Sequence, residues 1–277
     1  MSLSNISKKP ISILKKSNIS ETIKKLLEYN LSRLIVVDDG KAIGIITEKD
    51  IGLFLFSETT RRGLNDIPLT KIMKPILFEK GSTSPQKSAK TMIETGVSSL
   101  SIGSDVDLTG IFTKTDLVQY YLNNVSNESK VIDYMTHDYV NTYTAAPLFK
   151  VVRKMLEKKV SRVIVKDQNE HPVGVISFRN LFRISVELGD GEEDSEHNTL
   201  DQMRKGFLSE GGFGNVSLAR DVMTKGLITI KFNQSLSDAC KLILENNVSG
   251  LVVLDGNQSI AGIISKTDIV KALASLK

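Results

Sequence analysis

The chain has 277 residues, 40% hydrophobic and 25% charged, an ordinary globular balance with length enough for one large domain or two of common size. Its 36 basic and 32 acidic residues leave a net charge of +4, mild for a protein whose main task is to grip a phosphate backbone. The single cysteine excludes an intrachain disulfide, the apolar runs "RLIVV" and "GLVVL" are soon interrupted, and "MSLSNISKKP" lacks a signal-peptide core, so a soluble cytoplasmic protein without membrane contact is expected.

Taken in chain order, one unit returns four times. The first 25 residues set Lys8, Lys9, Lys15, Lys16, Lys24 and Lys25 against Glu21, a local basic face. Ile19, Ile23, Leu26 and Leu27 then fall at helical spacing, "LSRLIVVDD" at 31–39 reads as a turn and buried strand, and "GIITEKD" at 44–50 runs a second strand into a second helix. Copy two follows with "SPQKSAKTMIETG", "VSSLSIGSD" and "GIFTKTDLVQYYL"; copy three with "PLFKVVRKMLEKK", "VSRVIVKDQ" and "GVISFRNLFRI". Copy four has "SLSDACKLILENN", "VSGLVVLDG" and "GIISKTDIVKALA". The turn serines Ser32, Ser98, Ser161 and Ser249 precede the motif hydroxyls Thr47, Thr113, Ser177 and Ser265 by 15 or 16 residues each time. Insertions therefore fall between copies, and the expected repeats are 8–66, 69–125, 131–185 and 218–277, with a linker at 186–217 rich in acid, Gly and Ser. Its "GGFGN" has no preceding strand and is a weak match to a phosphate loop. Lead-in segments "IMKP" at 72, "YMTHDYV" at 134 and "VMTKGLI" at 222 precede copies two to four, whereas copy one has only "KKPISI" and a shortened lead.

The recurring helix, polar turn, strand pair and string of Gly, two apolar residues, Ser or Thr, two variable residues and Asp or Asn resemble the CBS domain, the cystathionine β-synthase-type repeat, in four copies over almost the whole chain. The resemblance implies an α/β (α+β) fold of β-α-β-β-α repeats, paired one with two and three with four into two tandem modules. It also implies adenine nucleotides (AMP, ADP or ATP) in the clefts between paired repeats, the motif Asp on the ribose hydroxyls and the Ser or Thr near the phosphate. A carboxylate accepts two hydrogen bonds from a cis-diol, and a hydroxyl at a helix start donates to an anion that the helix dipole already favours. Thr47 with Asp50, Thr113 with Asp116, and Ser265 with Asp268 are intact sets; Ser177 with Asn180 departs from them, keeping an acceptor without the charge. Arg33 and Arg162 match the position after the turn serine where kinase-regulatory relatives place a phosphate-contacting base, and Ser99 and Gly250 stand there in copies two and four. The adenine boundary carries over onto Thr22, Leu31 and Ser32 for Asp116; Ser88, Val97 and Ser98 for Asp50; and Val151, Val160 and Ser161 for Asp268. Ala239, Val248 and Ser249 serve the Asn180 site, and Val151 is bulkier than the usual residue.

Each Ser/Thr-x-x-Asp is also spaced as a helix capping box, a purely structural alternative. Cys240 shares a helical face with Leu236, Ile243 and Leu244 and reads as core; His137, His171 and His197 are isolated, so no metal is expected. No catalytic constellation is legible. The leading expectation is a non-enzymatic regulator that binds an adenine nucleotide and controls an unknown protein in trans, alone or as a homodimer. The rivals are a nucleic-acid-binding or scaffold protein using the basic N-terminal face, and an enzyme subunit.

Overall fold

The computed structural model describes residues 3–57, 63–126, 129–187 and 217–276; the linker expected at 186–217 lies outside them except for its ends. In copy one, β1 (Ser12–Leu14) runs parallel to β2 (Arg33–Asp38), which is antiparallel to β3 (Lys41–Thr47). Helix α1 (Ile19–Glu28) crosses between β1 and β2, and α2 (Glu48–Ser57) follows β3. Copy two repeats this order with β4 (Phe78–Glu79), α3 (Pro85–Glu94), β5 (Ser99–Gly103), β6 (Leu108–Thr113) and α4 (Lys114–Asn124). Copy three uses β7 (Asn141–Tyr143), α5 (Leu148–Glu157), β8 (Arg162–Lys166), β9 (Pro172–Ser177) and α6 (Phe178–Glu187). After α7 (Ala219–Val222) and β10 (Thr224–Lys225), copy four closes with β11 (Thr229–Lys231), α8 (Leu236–Glu245), β12 (Gly250–Leu254), β13 (Ile260–Ser265) and α9 (Lys266–Ser275).

Local chemistry explains the elements. Asn18 caps α1 by accepting from the Glu21 N–H at 2.9 Å, and Ile19, Ile23 and Leu26 are buried beneath it. Leu27, expected on that face, is 49% exposed: it sits one residue and about 100° beyond Leu26, and Thr22 completes the buried stripe instead. In β3, Ala42, Gly44 and Ile46 face inward in alternation.

The lead-in segments join copies into modules. Lys8 bridges Ile111 and Lys74 bridges Ile45, so copies one and two each lay a segment on the other's last strand; Thr136 bridges Ile263 and Thr224 pairs with Val175 in the same way between three and four. The lead of copy one is not shortened. It reaches back to Leu3, which is fully buried in the core of copy two with its N–H on the Thr83 carbonyl at 3.3 Å.

Helices join the modules to each other. Helix α2 packs on α6, with Phe182 in the core of copy one and Leu53 against that of copy three. A Cβ on Gly52 would stand 3.2 Å from the Phe182 nitrogen, so a larger residue would have to push the two helices slightly apart. Helices α3 and α4 pack on α8 and α9 in one shared core that includes Leu117, Val118, Tyr121, Ile269, Val270 and Leu273. Copy one is thus stacked on three, and two on four.

Candidate functional site

At the end of each last strand the motif folds into the same turn. The Thr113 hydroxyl and N–H donate to Asp116 Oδ2 at 2.7 and 2.8 Å, and those of Ser265 donate to Asp268 Oδ2 at 2.6 and 3.0 Å. Thr47 donates to Asp50 Oδ2 at 2.5 Å, while Ser177 donates to Asn180 Oδ1 at 2.8 Å. The capping box is therefore real, and it consumes one oxygen. In the three aspartates the other, Oδ1, faces an ammonium: Lys8 on Asp116 at 2.8 Å, Lys74 on Asp50, and Lys271 on Asp268 at 3.2 Å. All three carboxylates are buried, and a buried carboxylate keeps its charge only beside such partners. Asn180 instead spends its amide donors on the Val222 carbonyl at 2.9 Å and the Thr224 hydroxyl at 3.1 Å. Asparagine fits here because both neighbours are acceptors.

An open cavity of about 1420 Å³ runs between the two modules. It reaches one cleft formed by Thr113, Asp116, Leu31 and Ser32, and another formed by Ser177, Asn180, Val248 and Ser249. Arg33, Ser98, Val160, Ser161 and Arg162 also line it. Thr47, Asp50, Ser265, Asp268 and Val97 do not, and neither do the four equivalent helix positions Thr22, Ser88, Val151 and Ala239, which are buried. Thr22 donates to the Asn18 carbonyl at 2.7 Å, whereas the buried Ser88 hydroxyl of copy two has no hydrogen-bond partner among the described residues. The bulkier Val151 is accommodated in the core of copy three.

Among the described residues the cavity wall is strongly basic: seven lysines and four arginines against one acid, Asp116. Its arginines cross from odd to even copies. Arg33 donates to the Ser98 hydroxyl at 3.3 Å and Arg162 to that of Ser249 at 3.0 Å. Gly250 makes room for the second crossing, since a Cβ there would fall 1.9 Å from Arg162 Nη1. That Nη1 is buried with no hydrogen-bond partner among the described residues, the state of a donor lacking an acceptor. Burial pushes Arg162 down to about 10, with Asp268 pulling the other way, and burial likewise lowers Arg33.

The two variable positions of the motif clasp the modules together. Lys114 donates to Thr267 at 3.1 Å and, in mirror image, Lys266 to Thr115 at 2.9 Å. Arg179 pairs with Glu48 at 3.3 Å, and Lys49 lies over the Phe178 ring, 4.9 Å from its centre. Burial lowers Lys114 and takes Lys266 down to about 8, helped by Arg179, Arg162 and Arg33 nearby. Sequence reading passed over these middle residues and the lead-in lysines. The signal was present: Lys-Thr recurs between hydroxyl and acid in copies two and four alone.

Among the described residues no three His, Cys, Asp or Glu side chains gather as a metal site, and no helix is long and apolar enough to cross a membrane. His197 lies outside those residues. Cys240 is buried in the shared core, which pushes its thiol up to about 12.

This repeat and its clefts define a class: the CBS domain pattern matches residues 3–55, 131–187 and 219–275, more than half of the chain, and the chain belongs to the CBS domain family. Protein MJ1225 of Methanocaldococcus jannaschii is 25% identical over 96% of each chain. Its crystal structure, described as that of a proposed archaeal homolog of g-AMPK, matches with a TM-score of 0.80 at 22% identity over 99% of this chain and all of that one. The chloroplastic CBSX2 of Arabidopsis thaliana is 27% identical over 56% of this chain and 70% of its own. CBSX2 has been solved in complex with AMP, a partial likeness with a TM-score of 0.39 and 24% identity over 52% of this chain and 95% of that one.

Proposed function

We propose that the chain is a regulatory sensor of adenine nucleotides, AMP, ADP or ATP, which bind between paired repeats with their phosphates directed into the basic cavity. The observation that carries this is a wall in which, among the described residues, eleven cationic side chains surround one acid, opening onto clefts that hold a motif carboxylate or amide. Such a field concentrates anions and favours several phosphate charges at once. Asp116 accepts the ribose hydroxyls on Oδ1, and Leu31, Ser32 and Ile11 bound the base. Apolar walls and backbone, with no acid to read a guanine edge, favour adenine. The AMP complex of CBSX2, a sequence relative, supports the ligand class. The protein acts without chemistry of its own, in the cytoplasm, changing the arrangement of its modules for a partner protein in trans.

The rival nucleic-acid reading rests on the basic N-terminal face, of which Lys8 and Lys9 line the cavity and Lys15 pairs with Asp38 at 2.7 Å, while Lys16 and Lys24 stay exposed. Denaturing purified protein and identifying the released small molecule tests the proposal. An adenine nucleotide is expected, with calorimetry on the emptied protein showing AMP, ADP or ATP tighter than GTP. GTP tighter than every adenine nucleotide, or no nucleotide binding at all, would overturn it.

A further inference from the structure

The four lead-in positions are equivalent in backbone and unlike in side chain. Lys8, Lys74, Thr136 and Thr224 each bridge the residue after the motif glycine of the partner copy. The lysines hold the motif carboxylates of that copy; Thr224 accepts from Asn180, and Asp268 turns to Lys271 on its own helix. Lys8 alone of the two lysines lines the cavity. It neutralises a carboxylate only 8% exposed while its own side chain is 74% exposed, so the ammonium can leave Asp116 for water or another anion with little loss of packing.

We propose that Lys8 is a specificity-determining residue that exchanges partners when the Asp116 cleft fills. In the empty cleft it neutralises Asp116; once ribose hydroxyls donate to Asp116 Oδ1, the released ammonium pairs with the phosphate of the same ligand. This rests on reading that cleft as a nucleotide site. The charge balance gives the discrimination. A nucleoside offers neutral donors to the carboxylate and nothing to the lysine, so binding it breaks an ion pair without replacement. A nucleotide supplies both a diol for the acid and an anion for the base. Lys8 therefore selects phosphorylated ligands over the nucleoside that shares their base and sugar.

Calorimetry with adenosine and AMP on the full chain carrying D50N and D268N isolates Asp116 as the remaining motif carboxylate. Adding Lys8→Thr, which copies Thr136 and Thr224, should shrink the preference for AMP over adenosine by roughly ten-fold, with adenosine bound no more weakly than before. Lys8→Arg should retain both the preference and the ligand-free melting, whereas Lys8→Thr strips the buried Asp116 of its counter-charge and should lower ligand-free melting, so binding is read well below the melting temperature of each variant. An unaltered AMP-to-adenosine ratio in Lys8→Thr, with Asp116→Asn still weakening AMP, would sink the exchange and leave the nucleotide site standing. AMP binding that Asp116→Asn leaves untouched would instead sink the site, and the exchange with it.

Discussion

The two modules share one backbone plan and wire their charges differently. In the N-terminal module both motif acids, Asp50 and Asp116, are held by lysines that arrive on lead-in segments of the opposite copy. In the C-terminal module both lead-in residues are threonines, Asp268 is held by Lys271 within its own helix, and Asn180 needs no cation. The hydrogen bond from the motif hydroxyl to the Asp or Asn oxygen is common to all four. Helix capping thus accounts for the spacing of the motif, whereas the charge partner is what each cleft varies.

The comparison breaks first at the crossing arginines. Arg162→Met should weaken AMP or ATP by about ten- to a hundred-fold in calorimetry, the effect of losing a hydrogen bond to a charged group, because its Nη1 is buried without an acceptor. Arg33→Met, whose side chain leaves no such orphan atom, should cost less; equal losses would mean the two modules bind alike.

Next comes the residue facing each arginine. Gly250→Ala brings a methyl to 1.9 Å from Arg162 Nη1 and 2.7 Å from the Ile264 carbonyl, which should destabilise the ligand-free chain by about 1–3 kcal/mol in denaturant unfolding. Ser99→Ala at the equivalent position of copy two keeps its Cβ and should shift it by about 1 kcal/mol or less. A silent Gly250→Ala would show that Arg162 is free to swing aside.

Titration separates the mirrored lysines. Lys266 is lowered from 10.5 to about 8 by burial. Between those values the unfolded chain binds the extra proton and the folded one does not, so the stability of the ligand-free protein should rise with pH across that window. Nucleotide affinity should fall over the same range as the cavity loses that charge. Lys266→Met should flatten both profiles more than Lys114→Met does; parallel profiles for the two variants would erase the asymmetry.

The smallest effect is expected at the caps. Asp268→Asn keeps an acceptor for Ser265 and should lower ligand-free stability by about 1 kcal/mol or less, measured by melting. A much larger loss would mean that Lys271 and Arg162 depend on that carboxylate for the fold itself.

The repeat was legible because its signals are local and recurrent: a turn serine, a strand pair, and a motif at constant spacing. The intact motif sets and the departure at Asn180 could be read directly. Sequence spacing could show the cap but not the ion pair beside it, since only the fold brings Lys8 to Asp116 Oδ1 while Oδ2 serves Thr113. The lead-in pairing was also hidden. It joins Lys8 to Ile111 across about a hundred residues through a single bridge, too short for any alternation to register. Leu27 was misplaced because helical spacing alone does not say which edge of an apolar stripe stays wet.

Leu3 belongs in sequence to the first copy and in space to the core of the second. During synthesis it must therefore wait, uncovered, until the ribosome has released residues near Phe112, Leu117 and Tyr121, and the first module can close only as a pair. A truncation that trims the amino terminus would injure the neighbour rather than the copy it was cut from.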